Sequence, residues 1–176
     1  DLTNATYYFG IGTSREGKIG LKATWGKGIE GSNSEYITSV TETSDGGYVA
    51  GGYFNSSSID LGNGVVINNN GSADGMIIKY SAEGECEWAK AIGGSSDEYI
   101  TSIAETSDGG YVAGGYFYSS SIDLENGVSL TNKGTIDGMI IKYEKAELPN
   151  PITIQAKGIG DSRDDRIAAV AETSDG

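Results

Sequence analysis

The sequence predicts an all-β fold, and three observations carry that prediction. The 176 residues contain 28 glycines, 11 tyrosines and only 2 prolines. That composition suits many strands and tight turns, and no window gathers Leu, Ala and Glu at helical spacing for more than a turn or two. The segment Glu42 to Phe54 recurs residue for residue from Glu105 to Phe117. A wider match joins residues 25–80 to 88–143 at an offset of 63, with 41 of the 56 positions identical. Repetition at such a period makes the repeat, rather than the whole chain, the unit of folding.

Each repeat reads as four strands. Strand one is Tyr36 to Thr43 and strand two is Gly47 to Phe54, joined by Ser44-Asp45-Gly46-Gly47, where glycine supplies the positive φ of a tight hairpin. Strand three is Gly75 to Tyr80. The turn Ser81-Ala82-Glu83-Gly84 leads into strand four, Glu85 to Ile92, with Cys86, Trp88, Lys90 and Ile92 expected on one side. The long connection 55–73 holds Asn63-Gly64 between Ile59–Leu61 and Val65–Ile67, which predicts a small ribbon of its own. The small run Ala50-Gly51-Gly52 suits a place where neighbouring sheets approach closely.

Four antiparallel strands at a regular period describe a β-propeller blade. A β-solenoid also repeats with Gly and Asn turns, but its coils are typically about 20–30 residues long. The predicted organisation is a half blade over 1–29 (strands three and four), blades over 30–92 and 93–155, and the first strand of a further blade over 156–176. The third copy aligns at an offset of 67, the extra residues falling in Glu144–Gln155 with Pro149 and Pro151. Under three blades leave the ring incomplete. The open ends are expected to complete one composite blade, through another copy or through further sequence.

Asp74 to Tyr80, Glu83-Gly84, Trp88-Ala89-Lys90, Ile92-Gly93-Gly94 and Ser107 to Val112 resemble bacterial SBBP-type β-propeller repeats. The resemblance runs from about Thr6 onward. It implies a secreted or surface-attached bacterial protein and brings no catalytic residues with it.

The formal net charge of −13 argues against duplex nucleic acid and anionic membrane surfaces, which need clustered Lys and Arg. No apolar run approaches the roughly 20 residues of a spanning helix. With no histidine, Ser-His-Asp and Cys-His chemistry and His-containing metal sites are excluded. Cys86, the single cysteine, is expected to pack rather than react. Asp and Asn side chains and backbone carbonyls are suitable calcium ligands, yet no stretch matches the Asp-x-Asp-x-Asp-Gly loop, so no cofactor is expected. Carboxylate pairs could in principle serve glycoside hydrolysis. Repeated acids are more simply turn residues and solvated charge.

The resulting expectation is a non-catalytic extracellular or cell-surface scaffold or adhesion module that self-associates or continues into a longer chain. The alternative is a carbohydrate-binding or carbohydrate-active propeller. In a meander the long two–three loops and the four–one connections share one end. A ligand is therefore expected there, at Asp60, Asp97, Glu98, Tyr118 and Asp123.

Overall fold

The computed structural model describes residues 21–145, which form strands and turns without a helix. In chain order the strands are β1 (Glu35–Glu42), β2 (Tyr48–Phe54), β3 (Ser58–Asp60), β4 (Val66–Asn68), β5 (Asp74–Tyr80) and β6 (Cys86–Ile92). They continue with β7 (Glu98–Glu105), β8 (Tyr111–Phe117), β9 (Ser121–Asp123), β10 (Ser129–Thr131) and β11 (Asp137–Tyr143). The first repeat is a four-stranded antiparallel sheet in the order β1-β2-β5-β6. The second contributes β7-β8-β11, likewise antiparallel. Each carries a two-stranded ribbon, β3-β4 and β9-β10.

Every strand expected between residues 35 and 92 forms, within a residue or two of its expected bounds. The half blade 1–29 differs where it can be seen: residues 21–29 form no strand. The partner expected for that strand, Thr6–Gly12, lies outside the described residues, as do the fourth strand of the 93–155 repeat from residue 146 and the copy at 156–176.

The turns form for the reasons their sequences give. Gly46 has φ 82° and Gly109 φ 77°. Gly46 donates to the Thr43 carbonyl at 2.8 Å and Thr43 donates to the Gly47 carbonyl at 2.9 Å. In the ribbon, Asn63 (φ 53°) and Gly64 (φ 77°) make the turn with both central residues left-handed, and Ile59 pairs with Ile67.

The two sheets pack face to face. Val49, Ile77 and Ile92 of the first meet Ile100, Ile103, Phe117 and Met139 of the second in one buried cluster. A second cluster covers the other face of the first sheet, where Phe54, Met76 and Ile78 receive Ile59 and Ile67 of the ribbon. Strand β5 is consequently buried along its whole length.

One expectation on strand four is corrected. Cys86 does not share a side with Trp88 and Ile92. The pairing of β5 with β6 shifts by one residue between Lys79↔Trp88 and Tyr80↔Cys86. This bulge turns Cys86 into the ribbon-side cluster with Tyr80, while Trp88 and Ile92 face the second sheet.

The glycine pair of β2 splits into two roles. A Cβ on Gly52 would collide with the Tyr36 carbonyl, and Gly115 stands in the same relation to Tyr99, so this glycine serves each sheet internally. A Cβ on Gly51 would meet Ile100 Cγ2 at 2.9 Å, so this glycine admits the neighbouring sheet.

Candidate functional site

The end of the sheets that carries the long connections is held together by backbone amides and buried acids. Glu98 opens β7 and is fully buried. Its Oε2 accepts from Gly94 N at 2.7 Å and its Oε1 from Ser119 N at 3.2 Å. Ser119 Oγ in turn accepts from Ser96 N at 2.9 Å. Asp74 opens β5 and is also fully buried; its Oδ2 accepts from Asn70 N at 2.9 Å. Its Oδ1 has no hydrogen-bond partner among the described residues. Burial, reinforced by the Glu98 charge, pushes the Asp74 carboxyl above its ordinary value. Strands from the two repeats join here: Glu98 N donates to the Ala73 carbonyl at 2.7 Å and Ser72 N to the Ser96 carbonyl at 3.1 Å.

A row of tyrosines lies along the same end. Tyr36 is the second residue of β1 and Tyr53 sits near the end of β2, so the hairpin register places them opposite each other. Their rings stack at 4.9 Å, and Tyr99 and Tyr116 stack at 5.0 Å in the second repeat. Tyr53 and Tyr99 meet edge to face at 4.5 Å and link the pairs, while Tyr118 adds to the row 6.4 Å from Tyr99. Burial first, and the neighbouring Asp97 charge second, raise the Tyr99 phenol.

Of the five residues singled out from the sequence, Asp97 and Tyr118 come together, with Tyr118 N donating to the Asp97 carbonyl at 2.9 Å. Glu98 adjoins them but points inward and is committed to the backbone. Asp60 and Asp123 sit elsewhere. Asp60 Oδ1 accepts from Gly62 N at 2.9 Å, and Asp123 Oδ1 from Glu125 N at 2.9 Å, so each caps a ribbon turn. The ribbon folds back along the sheet: Asn63 Nδ2 at its tip donates to the Cys86 carbonyl at 3.1 Å. Cys86 begins β6 at the tight-turn end, so Asp60 is carried away from Asp97 and Tyr118.

The tight-turn end has an ionic cluster that the sequence reading did not single out. Lys79 is buried, and its Nζ lies 3.0 Å from Asp45 and 3.1 Å from Glu87. Burial works against its charge, but the two carboxylates outweigh burial and raise its pKa overall. Hydrogen bonds from Thr43, Gly47 and Lys79 hold Asp45 well below the usual carboxylate range. The recurrence of Asp45 as Asp108 and Lys79 as Lys142, an ion pair in both repeats, was the available signal.

Aromatic contacts also repeat here. Trp25 meets Tyr48 edge to face at 5.7 Å, and Trp88 meets Tyr111 at 5.4 Å in the same manner. Trp25 Nε1 donates to the Ala82 carbonyl at 3.1 Å. Each tryptophan precedes the tyrosine it touches by the same spacing, 23 residues.

These groups offer little to a reaction. Burial raises the Cys86 thiol, and burial pushes the Tyr80 and Tyr143 phenols to about 12, so none supplies a nucleophile at neutral pH. A shallow groove between the first ribbon and β6 is lined by Ile67, Asn68, Ala89, Lys90 and Glu125, and its two charges already pair with each other at 2.7 Å. Among the described residues, no three Cys, Asp or Glu groups come together to hold a metal ion, and no helix is long and apolar enough to cross a membrane. Comparison of the chain with family models and with curated proteins finds no match.

Proposed function

We propose that this chain is a non-catalytic scaffold or adhesion module of the bacterial cell surface or exterior, built from successive propeller-type blades of the SBBP kind. The observation that carries the reading is the use of the same chemistry in both repeats for holding the fold. Asp45 and Asp108 bind a strand-three lysine, Asp74 and Asp137 accept from a loop amide, and Asn69 and Asn132 bond a strand-two carbonyl. Acids that could have served a reaction are spent on turns, loops and lysines. A reacting centre needs one repeat to differ, and the differences here fall mainly in loops and ribbons. The Trp25–Tyr48 and Trp88–Tyr111 contacts support blade-like succession, because each tryptophan reaches from one repeat unit onto the next.

One observation favours a second reading as a carbohydrate-binding propeller. Tyr118 is 39% exposed at the end of the tyrosine row, beside Asp97. An exposed ring next to a carboxylate suits a sugar, with stacking on one face and a hydroxyl donating to the acid. A glycan array probed with the labelled full chain separates the readings. The scaffold reading expects no saturable binding. Saturable binding that falls at least tenfold in Tyr118→Ala and in Asp97→Ala would establish the second.

A further inference from the structure

The interface between the two sheets is made of two unlike surfaces, and each is displayed a second time where no described residue covers it. One surface is the inward side of the first strand of a repeat. In β7, Ile100 and Ile103 are buried against the first sheet, at 0% and 4% exposure. Their counterparts on β1, Ile37 and Val40, are exposed at 44% and 63%. Both residues of each pair face the same way because Thr38 and Thr101 are extra residues in bulges, where the register jumps from Ile37 to Ser39 and from Ile100 to Ser102.

The other surface is the floor that receives this strand. In the first sheet it is Val49, Gly51, Gly75 and Ile77, all buried. In the second it is Val112, Gly114, Gly138 and Ile140. There Ile140 is 80% exposed, and a Cβ built on Gly114 meets nothing within 4 Å among the described residues.

The polar contacts are duplicated too. Across the internal interface, Thr38 Oγ1 donates to the Ile100 carbonyl at 2.6 Å, and Ile103 N donates to Ser39 Oγ at 3.3 Å. Ser44 N donates to Glu105 at 2.7 Å. The free floor carries the same donors and acceptor as Thr101, Ser102 and Ser107, and the free strand carries the matching acid as Glu42.

We propose that a second copy of this chain docks head to tail, laying β1 with Ile37 and Val40 on the open β8–β11 floor of its partner and reproducing the contact between the two sheets. This deepens the scaffold reading and rests on it. A second copy matches the existing contact position by position, including Tyr36 for Tyr99, where the chain's own copy of this strand at 156–176 has Arg166. Ile37 of one copy would cover Gly114 of the other as Ile100 covers Gly51, and Tyr36 would approach Tyr116 as Tyr99 approaches Tyr53. Such a contact is heterologous, so each added copy presents a fresh floor and a fresh strand; the assembly grows until it closes into a ring or continues as a filament. The formal charge of −13 on each copy opposes growth, so association strengthens as salt screens it.

The test is sedimentation of the full chain from micromolar to millimolar concentration, at low and at physiological salt. The expected result is a mass that rises with concentration, at least doubling, and rises further with salt. Gly114→Val leaves the isolated fold intact, because the space above Gly114 is open and valine suits a strand, but it blocks the incoming Ile37. Val40→Glu spoils the other surface. Each variant alone is expected to stay monomeric. Mixed together they are expected to stop at a dimer, since only one intact strand and one intact floor remain. A wild-type monomer at every concentration, with the floor covered from within the same chain, overturns the proposal. So do oligomers that survive Gly114→Val. Ile103→Asp separates this outcome from failure of the blade reading. A large drop in its melting temperature with a monomeric wild type sinks only the docking. No drop at all sinks the stacking of repeats itself.

Discussion

Asp74 is a fully buried carboxylate with one oxygen satisfied and the other bare. Burial raises its folded-state pKa, so between its ordinary value and the raised one the native state holds more protons than the unfolded chain. Over that window stability falls as pH rises, so the burial of this carboxyl costs stability at neutral pH relative to acid. Asp74→Asn removes the charge and gives the bare position an amide that can face Glu98. The substitution is expected to gain about 1 kcal/mol at pH 7, with the gain shrinking toward pH 4. Urea titrations of both proteins at the two pH values check this, and an equal gain at both would contradict it. Asp45 has the opposite sign. Its depressed pKa contributes stability above the ordinary carboxylate range, and that contribution is lost as pH falls through the folded value. Neither role was legible in the sequence, where both residues read as turn or surface acids. Whether a carboxylate meets water, an amide or an ammonium depends on the fold that surrounds it.

The elements were the most legible level, because hairpin and strand signals are local. Ser-Asp-Gly-Gly forms its turn twice, and Asn63-Gly64 makes the ribbon that its flanking Ile59 and Ile67 call for. What stayed hidden were the irregularities of pairing. The bulge beside Glu87 reverses Cys86, and the bulges at Thr38 and Thr101 bring residues three apart onto one face. These depend on which residue of the partner strand is opposite, a long-range fact. The ribbon also moved Asp60 and Asp123 out of the expected ligand site, because its apolar side folds onto the sheet rather than standing clear of it. Repeat differences at this scale carry their own cost. Gly62 occupies a left-handed position with φ 85°, and its counterpart Glu125 must adopt φ 71°. Relief of that strain is worth about 1 kcal/mol, against about 0.5 kcal/mol for the exposed Lys90–Glu125 pair. Glu125→Gly is therefore expected to raise the urea midpoint slightly, most clearly in high salt, where the ion pair already counts for less; a clear fall there would show that the ion pair outweighs the backbone strain.

At the scale of the whole molecule, repetition made the all-β architecture readable, since 41 identical positions predict two alike antiparallel sheets and the strands of the 30–92 repeat recur as β7, β8 and β11. It could not say that one copy of each contact surface would be buried while the other lay open among the described residues. Identical residues at Gly51 and Gly114, or at Ile77 and Ile140, have opposite surroundings because position in the array, not local sequence, decides what covers them. That asymmetry underlies the account of a scaffold of stacked repeats with reusable ends. Its most direct test is the melting of Gly51→Val beside Gly114→Val, in solution dilute enough to hold both as monomers. Gly51→Val forces a side chain into Ile100 and Ile103 and is expected to cost about 2 kcal/mol or more. Gly114→Val is expected to leave the melting temperature unchanged within error. Equal losses in the two variants would contradict the account.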